Sequence, residues 1–154
     1  MIQSVQELPV TLTNNTAAIT FTNDTIRSRS ACQNNNCGWL CHNEGNPLYQ
    51  IVQGGYYEVT FNTNVSSAEG GSVALGLYQD GVLIPGTTVT TEISTAGVPE
   101  NVSFTKVIKV CCRANANLTI ASVPSVPNLS TGEAIVTETP IVQSANLIIK
   151  KIAG

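Results

Sequence analysis

A chain of 154 residues fits one domain large enough to bury its own core. Only 11% of it is charged, less than half of the roughly 25% of an ordinary soluble domain, while 42% is hydrophobic, so its polar surface must be built from Thr, Ser, Asn and Gln. A net charge of −3 offers no attraction to nucleic acid or to an anionic membrane, and no run of about 18 apolar residues is present to span a bilayer; neither partner is expected.

The opening MIQSVQELPV has no basic stretch followed by a long apolar run, so no signal peptide is expected. Asn14, Asn23, Asn64, Asn101, Asn117 and Asn128 all stand in Asn-x-Ser/Thr triplets, which without an export signal are read as products of composition. Val10 to Thr13 and Ala17 to Thr22, about an Asn14-Asn15 turn, predict an opening pair of short strands with Ile19 and Phe21 inward. From Arg27 to Pro47 the periodicity vanishes, which predicts a long loop holding three cysteines, Trp39 and His42. Leu48 to Gln53 resumes as a strand.

The stretch from Gly54 to Gly86 is the most explicit in the chain. Tyr57, Val59 and Phe61 alternate with Tyr56, Glu58 and Thr60, and Val73, Leu75 and Leu77 alternate with Ala74, Gly76 and Tyr78; a period of two marks a half-buried strand. The small residues and single Tyr on the second strand's outer face suit another protein surface better than water. Asp80-Gly81 predicts a two-residue type I′ hairpin. Val89, Thr91 and Ile93 alternate next, then Phe104, Ile108, Val110 and Cys112 along a long strand whose inner face Lys106 interrupts. Leu118 and Ile120 continue, Pro124 and Pro127 force a loop, and Ala134 to Thr137 is brief. The closing strand, Ala145 to Ile149, is apolar on both faces, which predicts cover on both sides. Short strands punctuated by Gly, Pro and Asn, with no helical periodicity, predict an all-β sandwich or jelly roll.

This order of features resembles the C1q/TNF-type jelly roll over residues 48 to 152. Gly55-Tyr56-Tyr57-Glu58-Val59, Val73 to Asp80-Gly81, Ser103 to Cys112 and Leu147 to Ile152 stand where that superfamily has a Gly-x-Tyr-Tyr strand, a strand ending in an Asn-Gly or Asp-Gly hairpin, a long polar-flanked strand and an apolar closing strand. Both tyrosines directly follow Gly55, a departure from the pattern, and the cysteine loop at about 27–47 has no counterpart. The wording Val-Ala-Leu-x-Leu-Tyr-x-Asp-Gly-Val and Pro-Gly-Thr is similar to phage and bacterial versions: virion decoration and head-fibre proteins, and the tips of collagen-like spore-surface proteins. The resemblance implies one antiparallel jelly-roll domain over 1–154 and a homotrimer, with Tyr56, Tyr78, Ile148 and Ile152 as candidates for its interface.

Cys32, Cys37, Cys41 and His42 are ligand types zinc favours, yet the paired Cys-x2-Cys spacing is missing. Disulfides among Cys32, Cys37, Cys41, Cys111 and Cys112 are the favoured reading, with one thiol of the five left over. Trp39 is a candidate sugar- or receptor-stacking residue, or else a plug that seats the loop on the core. Catalysis would need His42 as base, and neither Asp24 nor Asp80 stands in a motif beside it. Gly54-Gly55 and Gly70-Gly71 are turn pairs, so no cofactor is expected. The reading that results is a non-enzymatic virion protein, a trimeric decoration or head-fibre component docked on the major capsid protein. A trimeric module that binds a host glycan or receptor, on a phage fibre or a bacterial spore or cell surface, is the alternative.

Overall fold

The computed structural model describes residues 1–13, 17–27, 31–32, 38–111 and 115–154, with 31 and 32 as backbone alone. Its strands are β1 (Ile2–Gln6), β2 (Val10–Thr11), β3 (Asn23–Arg27), β4 (Ala31–Cys32), β5 (Leu40–Cys41), β6 (Tyr49–Ile51), β7 (Gly55–Ser66), β8 (Gly71–Gln79), β9 (Val82–Leu83), β10 (Val89–Ile93), β11 (Glu100–Val110), β12 (Ala116–Ser122), β13 (Ser125–Pro127), β14 (Ala134–Val136) and β15 (Ile141–Ala153). One sheet runs β11-β7-β15-β1-β3 with β2 beside β15; the other runs β10-β8-β12-β6-β5-β4 with β9 beside β8. Apart from the short parallel pair β4–β5, every pairing is antiparallel. The result is an antiparallel jelly-roll sandwich, called here the β7 sheet and the β8 sheet.

Period-two patterning makes the sandwich. Tyr57, Val59 and Phe61 on β7, Leu147 and Ile149 on β15, and Ile108 and Val110 on β11 turn inward to meet Leu75 and Leu77 of β8 and Leu118 and Ile120 of β12 in one core cluster. Phe61 stacks obliquely on Phe104 with ring centroids 5.5 Å apart. The β8–β9 hairpin forms at Asp80-Gly81, where φ is +52° and +81°, the left-handed pair that a type I′ turn requires. Lys106 lies on the inner side of β11 and is half-buried; its ammonium reaches out toward Gly86 in the β9–β10 connection, so its aliphatic stem covers core while the charge stays at the rim.

Several expectations give way to tertiary pairing. The first strand is Ile2–Gln6, unmarked by strong alternation, and it is held between β15 and β3. Ala17 to Thr22 is no strand: Ile19 and Phe21 are fully buried as expected, but the segment docks through one bridge, Ala18 to Ala121. The expected Asn14-Asn15 turn lies outside the described residues. The loop from Arg27 to Pro47 contains β4 and β5, and the loop expected around Pro127 contains β13, which pairs with β14. The closing strand is longer than expected, running from Ile141 to Ala153.

Because Phe61 is fully buried between the sheets, Phe61→Ala should cost about 3–5 kcal/mol by chemical denaturation. Leu129, 97% exposed, should tolerate Leu129→Ala within about 0.5 kcal/mol in the same assay.

Candidate functional site

The two outer faces of the sandwich differ. On the β7 sheet, register sets Thr105, Thr60, Ile148 and Gln3 in one row, Ser103, Asn62, Asn146 and Val5 in the next, and Lys109 beside Tyr56 at one end. Asn101 donates through Nδ2 to Asn64 Oδ1 at 2.9 Å, Asn64 donates to Ser144 Oγ at 3.1 Å, and Thr60 and Thr105 share a hydroxyl pair at 3.1 Å. The charges there are few and matched: Glu58 faces Lys150 in the register, and the Lys109 ammonium stands 5.9 Å from the Tyr56 ring centroid. Tyr56 and Ile152 are each 44% exposed, Val107 is 48% exposed, and Ile148 is half-buried. The face therefore carries few charges and several large apolar groups.

On the β8 sheet the chain supplies its own cover. The segment that carries β13 and β14 folds over the outer side of β8, and Ala74, Val123 and Val126 form a buried cluster with Tyr78, Leu83 and Ile135 against it. The Tyr78 hydroxyl donates to the Ser122 carbonyl oxygen at 3.1 Å, and burial raises its pKa above the ordinary phenol value. The four expected interface residues thus do not share a surface. Tyr56 and Ile148 belong to the β7 face, Ile152 lies in the β15 bulge and lines a hollow with Trp39, Gln53 and Lys151, and Tyr78 sits on the opposite face of the sandwich and packs within its own chain. Beside this hairpin runs a groove of about 470 Å³ lined chiefly by Leu83, Val126, Leu129 and Ile135.

Of the two readings of Trp39, the structure shows the plug. It is 5% exposed, with its ring centroid 5.3 Å from that of Tyr57, so it seats the loop on the core rather than offering an exposed stacking platform. Cys41 is disulfide-bonded, which removes a thiolate from the Cys32, Cys37, Cys41 and His42 set. Both ring nitrogens of His42 are engaged elsewhere, and among the described residues no group of three metal-ligating side chains gathers. The side chains of Cys32, Cys37 and Cys112 lie outside the described residues. Cys111 is a free, exposed thiol.

One polar cluster has no sequence motif behind it. The Asp24 carboxylate, its side chain fully buried, accepts from Ser4 Oγ, from the Arg27 guanidinium and from His42 Nδ1 at 3.0 Å. His42 Nε2 lies 2.9 Å from the Asn46 carbonyl oxygen, and the imidazole stacks on Tyr49 at 3.8 Å and 3°. Burial works to raise the Asp24 pKa, but the hydrogen bonds from His42 and Ser4 and the charges of His42 and Arg27 outweigh it, and the carboxyl titrates below its ordinary value. Burial pushes the Tyr49 hydroxyl well above the ordinary phenol value. Ser4 and His42 both bond to the carboxylate that lies between them, so the hydroxyl has no base to activate it, and the chemistry this arrangement performs is cross-linking of β1, β3 and the turn before β6. Asp24 and His42 are 18 positions apart, and only folding brings them together.

No family model matches the chain, and no curated protein matches it in sequence. Among solved structures it is similar to the globular domain of zebrafish complement 1qA protein, with a TM-score of 0.54 and 12% identity over 96% of this chain and 94% of that one. At that identity the likeness is one of fold. The fold is an antiparallel jelly-roll sandwich of the C1q/TNF type.

The lowered Asp24 pKa fixes a pH dependence. Its folded value lies below the unfolded value of about 3.9, so its stabilisation is complete above about pH 5 and fades as pH falls through the folded value. Asp24→Asn should remove about 3–5 kcal/mol at pH 7, because Arg27 and His42 lose their buried partner, and should flatten the acid limb of the stability curve measured by urea unfolding. In alkylation mapped by mass spectrometry, Cys111 should label in the native protein, and Cys41 only after reduction.

Proposed function

We propose that the chain is a non-enzymatic structural protein of a phage virion: a homotrimer that docks on the capsid as a decoration or head-fibre component. The observation that carries the trimer is the β7 face, where Tyr56, Val107 and Ile148 stand among neutral Asn, Ser and Thr side chains. Burying such a face gains apolar area while desolvating little charge, at about 25 cal/mol per Å² of apolar surface removed from water. Amide and hydroxyl groups already bonded to one another, such as Asn101 to Asn64 and Asn64 to Ser144, lose less on desolvation than free ones. The virion role is supported by the wording of residues 73–82 and by the charge-poor Thr- and Asn-rich composition, which suits permanent assembly.

A recognition module for a host receptor or glycan is the second reading. Leu129, 97% exposed, and Val136, 78% exposed, flank the hairpin of β13 and β14 and hold apolar groups out in water. Binding of purified protein to host cells or to a glycan array, lost on Leu129→Asp, would favour recognition. Co-sedimentation with capsids in multiples of three copies would favour the virion.

Light scattering on the native protein should give the mass of three chains at micromolar concentration. Ile148→Asp should give a single chain whose far-ultraviolet circular dichroism is unchanged; a wild-type protein that remains a single chain would remove the assembly role.

A further inference from the structure

We propose that His42 is an imidazolium in the folded chain and that its two ring hydrogens form a proton-dependent latch on the turn at residues 43–46. Nδ1 faces a carboxylate oxygen of Asp24 at 3.0 Å and Nε2 faces the Asn46 carbonyl oxygen at 2.9 Å. Neither oxygen carries a hydrogen to give, and a neutral imidazole has one donor and one lone pair. In either neutral tautomer, therefore, one nitrogen lone pair would point at an acceptor in a site where His42 is only 4% exposed. Only the doubly protonated ring satisfies both contacts.

The surroundings agree on charge. The ring bonds Asp24 of β3 and stacks on Tyr49 of β6; Arg27 of β3 and Ser4 of β1 bond the same Asp24 carboxylate, and Glu44 from the turn accepts the Asp24 backbone N–H at 3.0 Å. With the ring protonated, two cations stand among two carboxylates. Neutral aromatic rings avoid full face-to-face stacking, but a cationic ring 3.8 Å over Tyr49 and parallel to it within 3° is attracted to the negative face below.

When the ring loses a proton, it keeps the one on Nδ1, where the bond to Asp24 is charge-assisted. Nε2 becomes an acceptor and the Asn46 carbonyl is released. Still on the turn are Asn46 N–H to Asn43 O at 3.0 Å, Gly45 N–H to Phe21 O at 2.9 Å, Asp24 N–H to Glu44 Oε1 at 3.0 Å and Leu48 N–H to Asn46 Oδ1 at 2.9 Å. Water reaches the site by a shallow hollow of about 170 Å³ lined by Cys41, His42, Asn46 and Leu48. The turn closes the carboxyl-terminal arm of the loop at 27–47, beyond the Cys41 disulfide, so the proton on Nε2 adds one anchor to those that Asp24 N–H to Glu44 Oε1 and Asp24 to Nδ1 keep between that arm and β3.

The chain has one His, so nitrogen-15 NMR of the intact protein reads the ring without assignment ambiguity. Both ring nitrogens should carry hydrogen at and somewhat below neutral pH. As pH rises, Nε2 alone should lose its hydrogen, and the Gly45 and Asn46 amides should lose protection beyond the roughly tenfold per pH unit of base-catalysed exchange, in step with that change. A bare ring nitrogen throughout the range in which the protein stays folded would overturn the proposal. So would deprotonation of Nε2 with protection at Gly45 and Asn46 unchanged.

Discussion

Strand β7 sets the register of its whole sheet. It pairs with β11 from Gly55 to Val65 and with β15 from Tyr56 to Ser66, and a slip of one residue on β7 would turn Tyr57, Val59 and Phe61 out to water. That one phase choice places Ile148 beside Thr60 and Lys109 beside Tyr56 on the outside, and Leu147 beside Phe61 and Ile108 beside Tyr57 on the inside. The core and the outer face of this sheet are two consequences of the same pairing.

The two outer faces solve the same difficulty in different ways. A sandwich whose strands carry apolar residues on both sides must cover its outsides or expose them. On the β8 sheet the chain covers Ala74 and Tyr78 with the segment from Val123 to Ile135. On the β7 sheet, Tyr56 and Val107 remain exposed among cross-bonded amides and hydroxyls. This asymmetry is why the β7 side is the one proposed for subunit contact.

The amino-terminal third is held by polar chemistry. β1 and β3 sit at one edge of the β7 sheet, and Ser4, Asp24, Arg27 and His42 tie them to the turn before β6. A buried ion cluster of this kind costs desolvation and returns it only if every contact is made, so it specifies one arrangement of the edge more than it adds stability. Trp39 on Tyr57 and the Cys41 disulfide fix the same region from the apolar side.

The sequence alone was enough for what local periodicity encodes: the strands from Leu48 to Ile93, the Asp80-Gly81 hairpin, the long strand after Glu100, the inward phase of Tyr57, Val59, Phe61, Leu75 and Leu77, and from these the all-β sandwich. Each depends on residues within a few positions of one another. β1 was not legible, because a short segment held as a strand by its partners β15 and β3 needs little alternation of its own. Tyr78 stands on the outer face that alternation gives it, but as a candidate for subunit contact it failed, because alternation says which residues share a face, not which face the chain later folds back to cover. The choice between the two readings of Trp39 and the meeting of Asp24 with His42 depended on the loop's path, which no local spacing encodes. These were decided by tertiary structure, since long-range contacts between residues far apart in the chain leave no periodic trace in it.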